Sequence, residues 1–196
     1  MTTFPNLESG AALALARIEK LRERQSTVVV LIDGHAGSGK STLTKLLSNL
    51  LFKQFEQAPH VIHMDHLYPG WEGLREGSLY LLEEVLTPLR NHQTASWQVW
   101  NWARSKRGAN DPGNGWRSFE GSNALLVDGC GSISRASSEL ADLRIWVDSA
   151  FEVRKARFLA RDNGRFASHF NNWSMQEQEF YQAEHSKELS ELIIAN

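Results

Sequence analysis

The chain has 196 residues, a formal net charge of −2 at pH 7, 41% hydrophobic and 22% charged residues, and a single cysteine, Cys130. This length and composition are typical of one soluble domain with a substantial core. The balanced charge argues against a nucleic-acid partner, and no apolar run is long enough to span a membrane. The lone cysteine excludes a disulfide within the chain, and the N-terminus lacks a leader pattern, so we expect a cytoplasmic protein.

Apolar periodicity predicts helices and strands that alternate along the chain. An amphipathic helix within residues 1–25 comes first. Strands are predicted at 27–33, 60–65, 123–128, 143–148 and 189–195, and helices at 41–55, 78–91 (broken near Pro88), 150–162 and 174–187. Apolar strands that alternate with helices form parallel sheets covered on both faces, so the sequence predicts one α/β domain over residues 1–196.

The most specific motif follows the first predicted strand directly and matches G-x-x-x-x-G-K-[ST]. It consists of Gly34, His35, Ala36, Gly37, Ser38, Gly39, Lys40, Ser41 and Thr42. Glycines at this spacing let main-chain N–H groups converge on phosphate oxygens, and the following helix adds the positive end of its dipole. Lys40 could reach the β- and γ-phosphates, and the Ser41 hydroxyl could hold Mg²⁺. We therefore expect ATP and Mg²⁺ as cofactors.

Aspartates stand near the ends of three later strands, where ligands of parallel sheets bind. Asp65 precedes His66-Leu67-Tyr68, and Asp128 leads into Gly129-Cys130-Gly131-Ser132. For both we favour a functional role, either in ligating the metal or in accepting a proton from an attacking hydroxyl. Asp148, followed by Ser149 and a helix, is better explained as a turn or capping residue.

Arginines dominate the helix after the fourth strand. Arg154, Arg157 and Arg161 are spaced to share one helix face, and Arg165 follows in a loop. We interpret residues 154–173 as a mobile lid whose guanidinium groups stabilise a transferring phosphoryl group. Salt bridges to neighbouring acids such as Asp162 are the alternative.

Four of the seven tryptophans fall within twenty residues, at Trp97, Trp100, Trp102 and Trp116. Core packing and a pocket for a flat ring or a sugar explain such a cluster equally well. Residues 103–122, rich in Gly, Asn, Ser and Arg, predict a long loop over the site. We expect residues 95–122 to form an insertion on the acceptor side.

The order of these motifs resembles the uridine kinase-like group of P-loop small-molecule kinases. The resemblance extends from about residue 26 to the C-terminus and rests on residues 34–42, 64–68, 126–129 and 146–148, together with Arg157 and the Arg161-Asp162 pair. It implies a three-layer αβα P-loop NTPase fold with a five-stranded parallel sheet of strand order 2-3-1-4-5 and a mobile lid.

The resemblance also assigns roles to single residues. Asp65 matches the aspartate that activates the acceptor hydroxyl and helps to arrange Mg²⁺, and Tyr68 matches a tyrosine of the same segment, whereas His66 and Leu67 depart from the pattern. Asp128 stands where the family has a glutamate that contributes to the metal site. It is one methylene shorter, so its contact with the metal would run through water. Trp100-Asn101 stand near a Tyr-Asp pair that contacts the nucleoside in uridine kinases. Related kinases accept pantothenate, sugars or other vitamins, so the acceptor stays open.

The sequence thus predicts an ATP-dependent phosphotransferase that acts on a hydroxyl of a small molecule. Its catalytic residues would be Lys40, Asp65, Arg157 and Arg161, its metal-binding residues Ser41, Asp65 and Asp128, and its acceptor-side residues Tyr68, Trp100, Asn101 and Arg165, with Trp71, Trp102 and Trp116 as further candidates.

Three alternative functions remain open at this point. A nucleoside monophosphate kinase could use Arg75 and Arg90, although Asp65 would repel its acceptor. A GTPase-type switch or regulatory ATPase would use the Asp-x-x-Gly pattern at residues 128–131, although no Asn-Lys-x-Asp guanine motif is present. A nucleotide-binding module without catalysis is the third.

Overall fold

A computed structural model describes residues 2–108 and 113–196, apart from the side chains of Thr2, Thr3 and Asp162. Its centre is a sheet of six parallel strands. In spatial order these are β3 (His60–His63), β8 (Ala124–Asp128), β2 (Val28–Asp33), β9 (Leu143–Asp148), β10 (Leu192–Ala195) and β1 (Thr2–Phe4). The predicted five-stranded order 2-3-1-4-5 is confirmed within this sheet.

The sixth strand is a correction to the sequence prediction, which placed only a helix in residues 1–25. Thr2–Phe4 pairs with β10 from Leu192 to Ile194 and forms one edge of the sheet. Three residues are too few to show a period of two, so only the pairing with β10 identifies them as a strand. The predicted helix follows as α1 (Leu7–Arg22), with Asn6 as its N-cap.

Helices cover both faces of the sheet. The long ones are α1, α2 (Lys40–Phe55), α6 (Phe151–Ala160) and α7 (Phe170–Glu184), and the short ones are α3 (Leu74–Leu81), α4 (Thr87–Arg90) and α5 (Arg135–Glu139). Strand β2 shows how its residues alternate between two cores. Val28, Val30 and Ile32 pack with α1 and α2, while Val29 and Leu31 pack with the core that contains α3 and α7. All of β2 and β8 is buried, as expected for central parallel strands.

The helix predicted at 78–91 begins earlier and is interrupted as expected near Pro88. A π-helical turn, Leu82–Leu86, joins α3 to α4, and Pro88 lies in the first turn of α4. Because proline has no N–H, the regular hydrogen-bond ladder cannot continue through it, and a wider turn takes its place.

The prediction of a long loop at 103–122 is partly wrong, because two short strands lie within these residues. Strand β4 (Ala95–Gln98) pairs with β7 (Trp116–Phe119), and β5 (Trp100–Asn101) pairs with β6 (Lys106–Arg107), both antiparallel. These strands are short and carry polar residues, so no apolar period predicts them. Residues 109–112 of the predicted loop lie outside the described residues.

Candidate active site

The phosphate-binding loop connects β2 to α2 at the carboxyl edge of the sheet. Gly37 has φ +78°, and a Cβ there would lie 2.4 Å from the carbonyl oxygen of Arg154. Gly39 is the N-cap of α2 with φ +107°, and as a glycine it has no side chain that could cap the helix. The first N–H groups of α2, together with the positive end of its dipole, are thus available to an anion such as a phosphate group.

Lys40 opens α2 and is only 8% exposed. Its Nζ donates to the carbonyl oxygens of Gly34 at 2.7 Å and His35 at 3.0 Å, and lies 3.5 Å from Cys130 Sγ. Burial alone would lower the pKa of Lys40, but Cys130, Glu177 and further acidic groups outweigh burial and raise it. Burial raises the pKa of the Cys130 thiol, so at neutral pH the carboxylates carry the negative charge beside this lysine.

A cavity of about 640 Å³ opens in front of the loop. Most of the predicted site residues line it. They are Ala36, Gly37, Gly39, Lys40, Ser41, Thr42, Asp65, Tyr68, Asp128, Arg157 and Arg161. The remaining loop residues, Gly34, His35 and Ser38, do not contribute to this lining. The fold therefore brings most of the phosphate loop, Asp65, Asp128 and two arginines to one cavity.

Asp128 ends β8 and pairs in register with His63 at the end of β3. Its Oδ1 lies 2.7 Å from His63 Nδ1, which raises the pKa of that imidazole mainly through the hydrogen bond. Asp128 is 3% exposed, and no described group hydrogen-bonds to its Oδ2. Sequence analysis missed His63. Its place at the end of a predicted strand was the signal that could have suggested a contact with Asp128, which ends another predicted strand.

Asp65 lies in a short 3-10 turn, Met64–His66, and not in the strand predicted to extend to residue 65. It is exposed at the cavity, and its main-chain oxygen accepts a 2.8 Å hydrogen bond from Trp102 Nε1. Tyr68 is 1% exposed and donates its hydroxyl to the Cys130 carbonyl oxygen at 2.7 Å. The Tyr68 ring therefore forms cavity wall while its hydroxyl is engaged with the protein.

The four predicted arginines divide between structure and cavity. Arg154 and Arg157 lie on α6, whereas Arg161 follows that helix in a 3-10 turn, Arg161–Gly164, so the prediction that all three share one helix face is wrong for Arg161. Arg154 is buried, and its Nη1 lies 3.4 Å from the Ala36 carbonyl oxygen. Arg157 Nη1 lies 3.4 Å from the Gly37 carbonyl oxygen, and Arg157 and Arg161 both line the cavity. Arg165, predicted on the acceptor side, is exposed and does not line it. Because α6 ends at Ala160, the chain changes direction before Arg165.

Five large aromatic side chains also line the cavity: Trp71, Trp102, Phe158, Phe166 and Trp173. We call these five residues the aromatic wall. The Trp71 ring centroid lies 5.1 Å from that of Trp102 and 5.2 Å from that of Phe166. Sequence analysis included Trp71 and Trp102 but missed the others, which only the path of residues 154–173 brings to the cavity.

Several acceptor-side candidates lie elsewhere. Trp100 and Asn101 form β5, whose residues do not line the cavity, because the adjacent turn brings Trp102 to it instead. Trp97 is buried in the core, and Trp116 is 51% exposed outside the cavity. The tryptophan cluster thus serves both core and cavity, and a role in acceptor binding for Trp100 and Asn101 stays a prediction without a cavity contact.

Two buried carboxylates that sequence analysis missed lie behind the loop. Asp33 Oδ1 and Oδ2 accept hydrogen bonds from the main-chain N–H groups of Gly34, Gly131 and Ile133, and burial raises the Asp33 pKa to about 6. Glu177 of α7 is 1% exposed and contacts the loop through Ala36. Neither has a sequence signal, because most of their partners are distant in the chain: Gly131, Ile133 and Tyr181 for Asp33, and His35, Ala36 and Cys130 for Glu177.

Other charged candidates are engaged away from the cavity. Arg75 pairs with Glu184 at 3.5 Å, and Arg90 pairs with Asp142 at 2.7 Å. Asp148 Oδ1 accepts from the Ser149 main-chain N–H at 3.1 Å and Oδ2 from Lys187 Nζ at 2.7 Å, whereas the N-cap of α6 is Ala150, so a capping role for Asp148 is wrong. The side chain of Asp162 lies outside those described. Among the described residues, the cations of the cavity lining are Lys40, Arg157 and Arg161, apart from its histidines.

The donor set of the cavity suits a divalent cation bound together with phosphates. Within the described ranges, no group of three or more His, Cys, Asp or Glu side chains could hold a metal by itself. Mg²⁺ in nucleotide sites needs only one or two protein oxygens, since phosphates and water supply the rest. The exposed Ser41, Asp65 and the unpartnered Oδ2 of Asp128 fit that requirement. In the same described part of the chain, no helix is long and apolar enough to cross a bilayer.

Comparison with protein families matches residues 11–195 to the KAP family P-loop domain. The chain belongs to the KAP family. The match includes the phosphate loop and every strand of the central sheet except β1, so this KAP-family chain is a P-loop NTPase domain. A comparison with curated protein sequences gives no match.

Solved structures of P-loop kinases resemble the KAP-family chain over most of its length. A candidate uridine kinase from Bacillus stearothermophilus has 16% identity and a TM-score of 0.67, with 96% of this chain and 98% of that chain covered. A candidate fructose transport system kinase from Silicibacter sp. TM1040 has 19% identity and a TM-score of 0.60, with 94% and 98% covered. D-glycerate 3-kinase from Cryptococcus neoformans has 13% identity and a TM-score of 0.58, with 89% and 87% covered. At these identities the similarity shows the fold.

Proposed function

We propose that this chain is an ATP-dependent phosphotransferase that moves the γ-phosphoryl group to a hydroxyl of a small molecule. The cavity carries the proposal, because Lys40 and most of the phosphate loop line it together with Asp65 and the aromatic wall. Donor phosphate and acceptor could therefore meet inside one enclosure. Membership of a P-loop family supports the nucleotide, and the fold shared with kinases supports transfer to an acceptor.

In this proposal ATP lies on residues 34–42, with its phosphates on the first N–H groups of α2 and Lys40 beside the β- and γ-phosphates. Ser41 would bind Mg²⁺ directly, and Asp128 Oδ2 and Asp65 would bind it directly or through its waters. When bound, Mg²⁺ neutralises phosphate charge. Asp128 Oδ1 is hydrogen-bonded to His63, and this contact fixes the orientation of the carboxylate and therefore of Oδ2.

The transfer itself needs positioning and electrostatic stabilisation more than covalent chemistry. The acceptor oxygen bonds to the γ-phosphorus, the bond from that phosphorus to the oxygen bridging to the β-phosphate breaks, and ADP leaves. The acceptor proton passes to the exposed carboxylate of Asp65. Arg157 and Arg161 line the same cavity and would offset the negative charge of the moving group.

The aromatic wall supports an acceptor with a flat ring or a sugar ring, because indole and phenyl faces bind such rings by stacking. An acceptor that is itself a phosphate would need cations of its own. Arg75 and Arg90, which a nucleoside monophosphate kinase would use, are paired outside the cavity. The wall therefore favours a neutral, ring-bearing alcohol over a monophosphate.

A parallel screen tests this function. Purified protein with ATP and Mg²⁺ is offered nucleosides, sugars, hydroxyl-bearing vitamins and nucleoside monophosphates, with ADP release and the mass of the product as readouts. We expect one ring-bearing alcohol to stimulate ADP release and to gain one phosphoryl group. Asp65→Asn should abolish the stimulation, and Glu83→Gln, an exposed acid on the π-helical turn, should keep it. Steady ATP hydrolysis that no acceptor alters would instead favour an NTPase that transfers to water.

A further inference from the structure

Glu177 is a buried carboxylate that contacts the phosphate loop from behind. Its Oε1 accepts hydrogen bonds from the Ala36 main-chain N–H at 2.6 Å and from Cys130 Sγ at 3.1 Å. Its Oε2 lies 3.0 Å from His35 Nδ1. The side chain is 1% exposed and does not line the cavity, so it contacts the loop and not the contents of the cavity.

The environment of Glu177 keeps it ionised. Burial alone would raise its pKa, but the hydrogen bond from His35, with the charges of His35 and Lys40 and the Ala36 N–H, lowers it below its ordinary value. Arg154 Nη1 lies 4.0 Å from Glu177 Oε2 and adds a further positive charge nearby. A fixed negative charge beside a phosphate site weakens phosphate binding by repulsion. We therefore expect Glu177 to offset that repulsion by holding the loop in its binding conformation.

This role follows from the helix that carries Glu177. Trp173, Glu177 and Tyr181 are spaced four residues apart on α7 and therefore share one face. Trp173 belongs to the aromatic wall, and Tyr181 Oη lies 2.7 Å from Asp33 Oδ1 and 3.1 Å from the Gly34 carbonyl oxygen. One face of α7 thus lines the cavity through Trp173 and contacts the first three residues of the phosphate loop, 34–36, through Glu177 and Tyr181.

We propose that Glu177 is a positioning residue that fixes the phosphate loop to α7 and thereby couples nucleotide binding to the aromatic wall. Phosphates that bind the loop N–H groups order residues 35 and 36, and Glu177 transmits that ordering to α7 and so to Trp173. By reciprocity, a ligand held against Trp173 strengthens nucleotide binding. The acceptor end of this coupling rests on the proposed function, whereas the nucleotide end requires only that the loop binds ATP.

Calorimetric titration with Mg·ATP tests the nucleotide end, with Glu177→Gln as the variant. Glutamine keeps the size of the side chain and an acceptor for the Ala36 N–H but removes the charge. Positioning predicts an increase in the Kd for ATP of about tenfold, from the loss of charge-assisted hydrogen bonds. An unchanged or lower Kd would overturn the proposal, because removal of charge repulsion alone tightens binding. Glu179→Gln, exposed on the same helix, is the matched control and should bind as wild type.

Hydrogen exchange measures the coupling itself, which a merely structural role for Glu177 would not change. In the wild type, Mg·ATP should slow amide exchange in residues 34–42 and also in α7. In Glu177→Gln at saturating nucleotide, the loop should keep its protection and α7 should lose it. Equal protection of α7 in both proteins would overturn the proposal.

A second variant keeps the proposal testable if Glu177→Gln fails to fold. Tyr181→Phe removes only the hydroxyl on Asp33 and Gly34 and should weaken ATP binding and α7 protection in the same direction. Wild-type binding and wild-type protection of α7 in that variant would count against the coupling. Normal coupling in a protein that phosphorylates no acceptor would refute the proposed function alone, since neither measurement requires turnover.

Discussion

Asp128→Asn changes one atom of the proposed metal site and little else. Asparagine has the shape of aspartate, and its carbonyl oxygen can still accept from His63 as Oδ1 does at 2.7 Å. The other position becomes an NH₂ group where Oδ2 has no hydrogen-bond partner among the described residues. That group cannot accept a hydrogen bond from a water molecule on Mg²⁺, and the negative charge is lost.

The size of the effect follows from that single interaction. A hydrogen bond to a charged group contributes about 1.5–3 kcal/mol, and 1.4 kcal/mol corresponds to a factor of ten, so kcat/KM should fall by about 10–150-fold. Stability should change far less, because Oδ2 has no described internal partner and His63 is half-exposed. For a chain of this size, a loss of 1 kcal/mol lowers Tm by about 2–4 °C, so the Tm of Asp128→Asn should fall by no more than that.

Acceptor-stimulated ADP release, measured across a Mg²⁺ titration, separates this effect from a general loss of activity. The Mg²⁺ concentration for half-maximal activity should rise in Asp128→Asn, while the affinity for ATP without Mg²⁺ should not fall, because a negative charge beside the phosphate site is removed. Asp148→Asn is the matched control, because Asp148 also ends a strand but pairs with Lys187 and does not line the cavity. Wild-type turnover and Mg²⁺ dependence in Asp128→Asn would refute the placement of the metal beside Oδ2.

Three further predictions address groups with other roles. Lys40→Ala should lower ATP affinity and turnover together, by about 100-fold or more. The variant removes a charged donor both from the bound phosphates and from the carbonyl oxygens of Gly34 and His35. Wild-type turnover in this variant would show that Lys40 takes no part in the mechanism. Asp65→Asn should lower kcat by about 10²–10⁴-fold with little effect on the Kd for ATP, and the opposite pattern in a binding titration would assign Asp65 to the metal alone. Asp33, with its pKa raised by burial from 3.8 to about 6, favours the protonated folded state, so its contribution to stability is present at low pH and is lost as pH rises through that interval. That loss amounts to about 3 kcal/mol over the full interval, and urea unfolding at several pH values should show it in the wild type but not in Asp33→Asn.

The sequence predicted what depends on local pattern. Five of the six central strands are apolar runs, and residues 34–42 form a motif whose spacing reflects the geometry of a helix N-terminus. Strand β1 was missed because its three residues become a strand only through pairing with β10. The strands of residues 95–122 were missed for the same reason, since antiparallel pairing and not apolar alternation defines them.

The candidate site residues divide along the same line. Lys40 could be predicted from its place at a helix start, and Asp65 and Asp128 from their places near the ends of predicted strands, and the structure brings all three to the cavity. His63 had only a weak signal, its place at a strand end, because its contact with Asp128 depends on strand register. Glu177 had none, because its contacts depend on the packing of a distant helix. Both are polar residues whose chemistry appears only when their partners are placed.

The aromatic wall also gives the molecule a built-in optical probe. Trp71, Trp102 and Trp173 surround the space that an acceptor would occupy, so a bound ring would alter the emission of their indoles by stacking on them or by displacing their water. Candidate compounds could thus be ranked by fluorescence quenching in unlabelled protein, without nucleotide and without any chemical step.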